Sequence, residues 1–115
     1  MYEVTADKPI AWFAGEVKTP PFSRDARFEA GLLLRRLQRG ENVGMPHAKP
    51  MPAIGRRCLE LRVRDAKKNW RIMIRVDDDA VVVMEVFEKK TRTTSSKVIA
   101  TCKDRLKRYD ETARG

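Results

Sequence analysis

No apolar stretch in this sequence approaches the roughly 20 residues that a bilayer-spanning helix requires, and no signal-like segment opens it. A membrane role is therefore not expected, and the cytoplasm is the expected location. Histidine is almost missing. His47 stands alone in a proline-rich stretch, where surface exposure or packing is the ordinary fate of such a residue. Cys58 and Cys102 have neither a CxxC spacing nor a neighbouring histidine, so they suggest no zinc site and no disulfide framework. Both read as reduced core residues. Asp77, Asp78 and Asp79 are adjacent, so their carboxylates diverge, unlike the spaced oxygen ligands of a metal loop. They read as a turn, and no metal or cofactor is expected.

Acidic residues are also in short supply. Against 25 Lys and Arg there are 16 Asp and Glu, a formal net charge of +9. Such a field favours nucleic acid or another anionic partner and says little about fold. The 115 residues fit one domain covering 1–115, large enough to bury a core without staples. Loose ends are expected at "MYEVTADK" and "ETARG".

Regular structure is marked by changes of period. "PIAWFAG" reads as a short strand or an apolar plug. Ser23 stands where an N-cap belongs and Gly40 where a left-handed C-cap is favoured, which predicts a helix over Arg24–Arg39. Ala26, Ala30, Leu33, Leu34 and Leu37 share one face of it and should pack on a sheet. Phe28 and Leu32 lie off that stripe, beside Arg24, Arg35 and Arg39. Packing on the N-terminal segment is the expectation for them, and a groove for a partner is the alternative. Residues 40–57 hold three prolines and three glycines, too many breakers for anything but an ordered loop.

From Cys58 the period becomes two. Leu59, Leu61 and Val63 alternate with Glu60, Arg62 and Arg64, and Trp70, Ile72, Ile74 and Val76 alternate with Arg71, Met73 and Arg75. "DAKKN" and "DDDA" are turns, and the run Ala80–Met84 suggests a strand covered on both sides. A last helix is predicted from Ser96 to Tyr109, with Val98, Ile99, Cys102, Leu106 and Tyr109 on one face. The expected architecture is α+β: an N-terminal helix, an antiparallel β-sheet meander and a C-terminal helix. Trp12, Trp70 and Phe87 are expected in the core.

Antiparallel pairing of these strands would stack Arg62, Arg64, Arg71 and Arg75 on one surface, with Glu60 and Glu85 as the available counter-charges. A solvated outer face explains any single one of them. Grouped with Lys89, Lys90 and Arg92 at the end of "VVVMEVFEKKTRTT", they read instead as a hollow for phosphates, gripped by forked hydrogen bonds from Arg and point charge from Lys. RNA supplies its own nucleophile, the 2′-hydroxyl, so cutting it needs only a proton acceptor, charge on the phosphate and a donor to the leaving oxygen.

The order of motifs resembles the RelE/ParE superfamily of type II toxin–antitoxin toxins, most closely its phage-derived HigB-like branch. The resemblance rests on Glu60–Arg62, Trp70–Ile72, Val81–Phe87, Lys89–Thr91, the basic helix to Tyr109, and the "KPIAWF" and "AKPMPAIG" segments, so it covers nearly the whole chain. It implies a small RelE-like α+β toxin that enters the ribosomal A site and cleaves mRNA, silenced by an antitoxin that is often a helix-turn-helix protein. Arg71 matches the strand arginine that contacts the scissile phosphate, Lys90 the basic residue after the valine-rich strand, and Arg62 the arginine of the Glu-Leu-Arg motif. These three are the catalytic candidates. Arg64, Arg75, Lys89, Arg92 and Lys97 are the candidates for gripping RNA. Two departures leave the general base unassigned: Cys58 and Leu59 stand where some members carry lysines, and Ser95, Ser96 and Lys97 stand where some carry a tyrosine. Members of the ParE branch act on DNA gyrase, and fold alone does not decide between targets. A gyrase-directed, non-enzymatic toxin and a non-toxic basic nucleic-acid-binding phage protein are the alternatives.

Overall fold

The Ser23 hydroxyl accepts a 3.0 Å hydrogen bond from the Ala26 N–H, satisfying one donor that a helix start leaves over. The helix it opens, α1, spans Arg24–Gln38; Arg39 caps it and Gly40 follows at φ +84°, a left-handed position that glycine takes without strain. Ala26, Ala30, Leu33, Leu34 and Leu37 are all buried, as their spacing predicts. The structure, a computed structural model, describes residues 7–114. The expectation of a loose start therefore falls mostly outside the described residues. Asp7 and Lys8 are held: Asp7 pairs with Arg35 at 2.7 Å, and the Lys8 N–H donates to the Gln38 carbonyl at 2.9 Å.

The sheet corrects the expected architecture. Five strands, β1 (Ile10–Trp12), β2 (Ala48–Pro50), β3 (Cys58–Asp65), β4 (Lys68–Val76) and β5 (Val81–Glu88), lie in the order β1-β5-β4-β3-β2. The fold is thus sheet-dominated and mixed, with a strand ahead of the first helix, and is not an N-terminal helix followed by an antiparallel meander. β3, β4 and β5 do pair antiparallel. The difference lies at the edges. β1 runs parallel to β5, with Ile10 opposite Val81 and Trp12 opposite Val83, and β2 runs antiparallel to β3, with Lys49 opposite Glu60. Each covers an otherwise open row of backbone donors and acceptors. Both are three residues long, too short for a period to show in the sequence.

One apolar layer joins α1 to Leu61, Val63, Trp70, Ile72, Ile74, Val81 and Val83, with Phe22 stacked on Trp70 at 4.3 Å between ring centroids. The opposite face carries a second layer, in which Cys58, Met73, Val82 and Met84 pack against Cys102 and Leu106 of α2 (Ser96–Arg114). Both cysteines are free and buried. α2 continues past Tyr109 to Arg114, so most of the tail expected to be loose is helical.

Four side chains fare differently from expectation. Trp12 is 46% exposed because it sits on an edge strand, and Phe87 is only half-buried. Phe28 and Leu32 are 68% and 50% exposed, since they lie across α1 from its buried stripe and nothing among the described residues packs over them.

Candidate phosphate-binding site

Along β3, Cys58, Glu60, Arg62 and Arg64 alternate away from α1, and Arg71, Met73 and Arg75 do the same on β4. The α2 layer takes the apolar members of that set. Of its charged members, Arg62 and Arg71 gather on Glu60, which is fully buried. Glu60 Oε1 stands 3.4 Å from Arg62 Nε, 3.4 Å from Arg71 Nε and 3.8 Å from Lys89 Nζ, while Oε2 accepts a 2.6 Å hydrogen bond from the Thr94 hydroxyl.

A bulge selects Lys89 for this place. The β4–β5 register steps from Met73–Glu85 to Ile74–Val83 and leaves Met84 without a partner. An extra residue in a strand exchanges its two faces from that point on. Val82 and Met84 point into the α2 layer before the bulge; after it Phe87 takes that side, and Val86 joins the α1 layer. Lys89 follows Phe87 inward, its side chain 6% exposed, and Lys90 is left outside.

Three cations around one carboxylate leave a positive excess in a space that water barely reaches. Arg62 Nε, Arg71 Nε and Glu60 Oε1 are all buried without an aligned hydrogen bond, so ion-pair attraction holds them and directional bonds do not. Burial pushes the Lys89 ammonium below its usual range; Glu60 opposes this, and Arg71, Arg62 and Lys49 add to it. Burial likewise lowers Arg71, with Glu60 opposing and Arg62 adding. An oxyanion entering here would relieve both the charge excess and the unmet N–H donors, which is the chemistry of a phosphate site.

The other residues singled out in the sequence fall elsewhere. Arg75 holds the turn and the end of α2, with Nε 2.6 Å from Asp77 Oδ1 and Nη2 2.6 Å from Asp110 Oδ1, and these carboxylates raise its pKa further. The expected stack of four guanidiniums is therefore a pair, Arg62 opposite Arg71; Arg75 faces Cys58 and Arg64 faces Asn69. Arg64, Lys90, Arg92 and Lys97 are exposed and make no ion pair among the described residues. Glu85 serves Arg105 at 3.1 Å. His47 turns its ring toward Glu29 of α1, at 3.9 Å. Among the described residues no group of three or more His, Cys, Asp or Glu is placed to hold a metal ion, and no helix is long and apolar enough to cross a membrane.

Sequence reasoning undervalued three contributors. Glu60 figured only as a counter-charge, although it is the hub. Thr94 and Lys49 went unnoticed. Lys49 needs β2 to be recognised before its register against Glu60 appears, and Thr94 comes from a connection without a period.

The family description Phage derived protein Gp49-like (DUF891) matches residues 21–107, a span that includes α1, the whole cation cluster and most of α2. The chain belongs to this Gp49-like family. Neither the curated proteins nor the solved structures give a significant match. All four groups on Glu60 lie inside the Gp49-like span, so the site is part of the family domain and not of an added segment.

Proposed function

We propose that this Gp49-like protein is the toxin of a type II toxin–antitoxin system and cleaves mRNA on the ribosome at the Glu60-centred cluster. One observation carries the reading: Arg62, Arg71 and Lys89 converge on a single buried carboxylate oxygen, in excess of the charge needed to balance it. Membership of the Gp49-like family supports the association with toxin–antitoxin systems. The placement in a HigB-like branch of the RelE/ParE superfamily, the ribosome as the place of action and a helix-turn-helix antitoxin as partner come from the sequence resemblance and belong to this proposal.

In the proposed reaction the ribose 2′-oxygen attacks phosphorus and the bond to the 5′-oxygen breaks, leaving a 2′,3′-cyclic phosphate and a 5′-hydroxyl. The 2′-hydroxyl proton leaves to water. Arg71 and Arg62 stabilise the charge that builds on the non-bridging oxygens. Lys89, with its pKa lowered by burial, gives its proton to the departing 5′-oxygen. Exposed Arg64, Lys90, Arg92 and Lys97 hold the flanking strand by charge.

The test is induction in growing cells with transcript ends mapped. New cuts inside translated codons are expected, together with growth arrest that Arg71→Ala and Lys89→Met remove without unfolding the chain. Intact messages accompanied by DNA damage would place the target at gyrase instead. Arrest that survives both substitutions would show that the cluster is not the site.

A further inference from the structure

We propose that the cleft between the 54–57 loop and the C-terminal half of α2 is a second phosphate subsite, which holds single-stranded RNA a few nucleotides from the Glu60 cluster. The proposal rests on the reading of that cluster as a phosphate site and extends it.

The cleft encloses about 590 Å³. Arg56, Arg57, Lys103 and Lys107 line it, and Arg56, Lys103 and Lys107 are exposed without an ion pair among the described residues. Asp110 and Glu111 also border it. Asp110 is engaged by the two Arg75 nitrogens, which leaves Glu111 as the acid set against those cations. Arg57 adopts φ +62°, a left-handed conformation that a side-chain-bearing residue holds only where its surroundings demand it.

The position relative to the cluster gives the cleft its meaning. Cys58 lines the cleft, and it lies on the same face of β3 as Glu60 and Arg62. From Cys58 to Arg62 the strand rises about 13 Å, which an extended nucleic-acid strand spans in a few nucleotides. Leu106 of α2 lines the cleft at one end, and the segment leading into α2 supplies Thr94 to Glu60 at the other. Lys49, opposite Glu60 on β2, adds a cation along it. A backbone engaged at Arg71 thus finds a second group of cations in reach, and no positive charge is buried to build it.

The experiment measures binding of a trinucleotide and of an RNA of about ten nucleotides by fluorescence anisotropy, for the full chain and for Lys103→Glu combined with Lys107→Glu. Both positions are exposed, so folding should be retained, and circular dichroism checks it. Arg56→Glu serves as an independent second variant. The longer RNA should bind the double variant roughly tenfold more weakly, with a salt slope shallower by about 1.4, while the trinucleotide is held as before. Equal loss for both RNAs, or no loss for either, overturns the subsite. Binding of the long RNA that depends on Lys103 and Lys107 but not on Arg71 would keep the cleft and remove the cluster reading. A chain that holds neither RNA removes both.

Discussion

Arg62 and Arg71 face one another across neighbouring strands, each with its Nε 3.4 Å from the same oxygen of Glu60. Two guanidiniums in direct cross-strand register repel, and a lone buried carboxylate would be costly by itself. Each makes the other tolerable. Two guanidiniums on one carboxylate already leave a positive excess, and Lys89 enlarges it, which under the proposed function is what a substrate phosphate would meet around Glu60.

Removing the carboxylate should therefore be costly. Glu60→Gln keeps the shape and leaves three partly buried cations without their buried anion, a loss expected at about 3–5 kcal/mol from the breaking of such a pair. Urea unfolding should show a lower midpoint at unchanged slope. Sulfate should restore more stability to the variant than to the parent, because it can stand where the carboxylate stood. Equal salt responses in the two proteins would mean that the cations do not form an anion site.

Lys89 and Lys90 should separate cleanly. Lys89→Met removes a charge-assisted contact inside the cluster and should cost about 1.5–3 kcal/mol of phosphate binding, roughly ten- to a hundredfold. Lys90→Ala removes an exposed charge and should change the salt dependence with a small effect on affinity at physiological salt. Titration of the same short RNA against both variants decides, and a larger loss for Lys90→Ala would contradict the strand phase described above.

That contrast also marks how far the sequence is legible. The alternation in β3 and β4 and the caps of α1 are visible because local chemistry repeats there with a fixed period. The Met84 bulge is not. It needs two strands to be laid side by side, and it moves the inward lysine from the position matched by resemblance to its neighbour. Arg75 carries the same lesson, since its partner Asp110 is 35 residues away on a helix whose length the sequence understates. β2 escapes notice because three residues make no period, and "PIAWFAG" shows β1 only as a short strand or plug, without the parallel pairing to β5 that makes the sheet mixed.

The lowered pKa of Lys89 gives stability a pH dependence of definite sign. Its folded-state value lies below the 10.5 of the free side chain, so between the two the unfolded chain binds more protons and stability rises with pH. Below that window the full cost of burying the ammonium is present. Tyr109 and Cys102 are raised, Cys102 to about 12, and act in the opposite sense. The difference between parent and Lys89→Met isolates the lysine. As pH rises toward 10.5 the parent should gain on the variant in urea midpoint. A difference that stays flat would mean that Lys89 titrates as if free.

At the other end of β3, Asp65 ties the two halves of the α1 layer together. Its Oδ2 accepts from the Ser23 N–H at 2.8 Å and from Trp70 Nε1 at 3.2 Å. Ser23 opens α1, and Trp70 carries the stacked Phe22, so one carboxylate fixes both the helix start and the aromatic pair. The Ser23 backbone bond is the main cause that lowers the Asp65 pKa beneath 3.8. A depressed carboxyl contributes stability that is present above its unfolded value and is lost as pH falls through the folded one. Acid titration of the parent should therefore release Ser23 and Trp70 together, seen as Trp70 fluorescence moving before global unfolding. Asp65→Ala should already show the altered fluorescence at neutral pH and no further acid step from this group. Phe22→Ala, which removes the stack but leaves the carboxylate, should cost about 3–5 kcal/mol and keep the acid step. An acid step absent from the parent would place the anchor of α1 elsewhere.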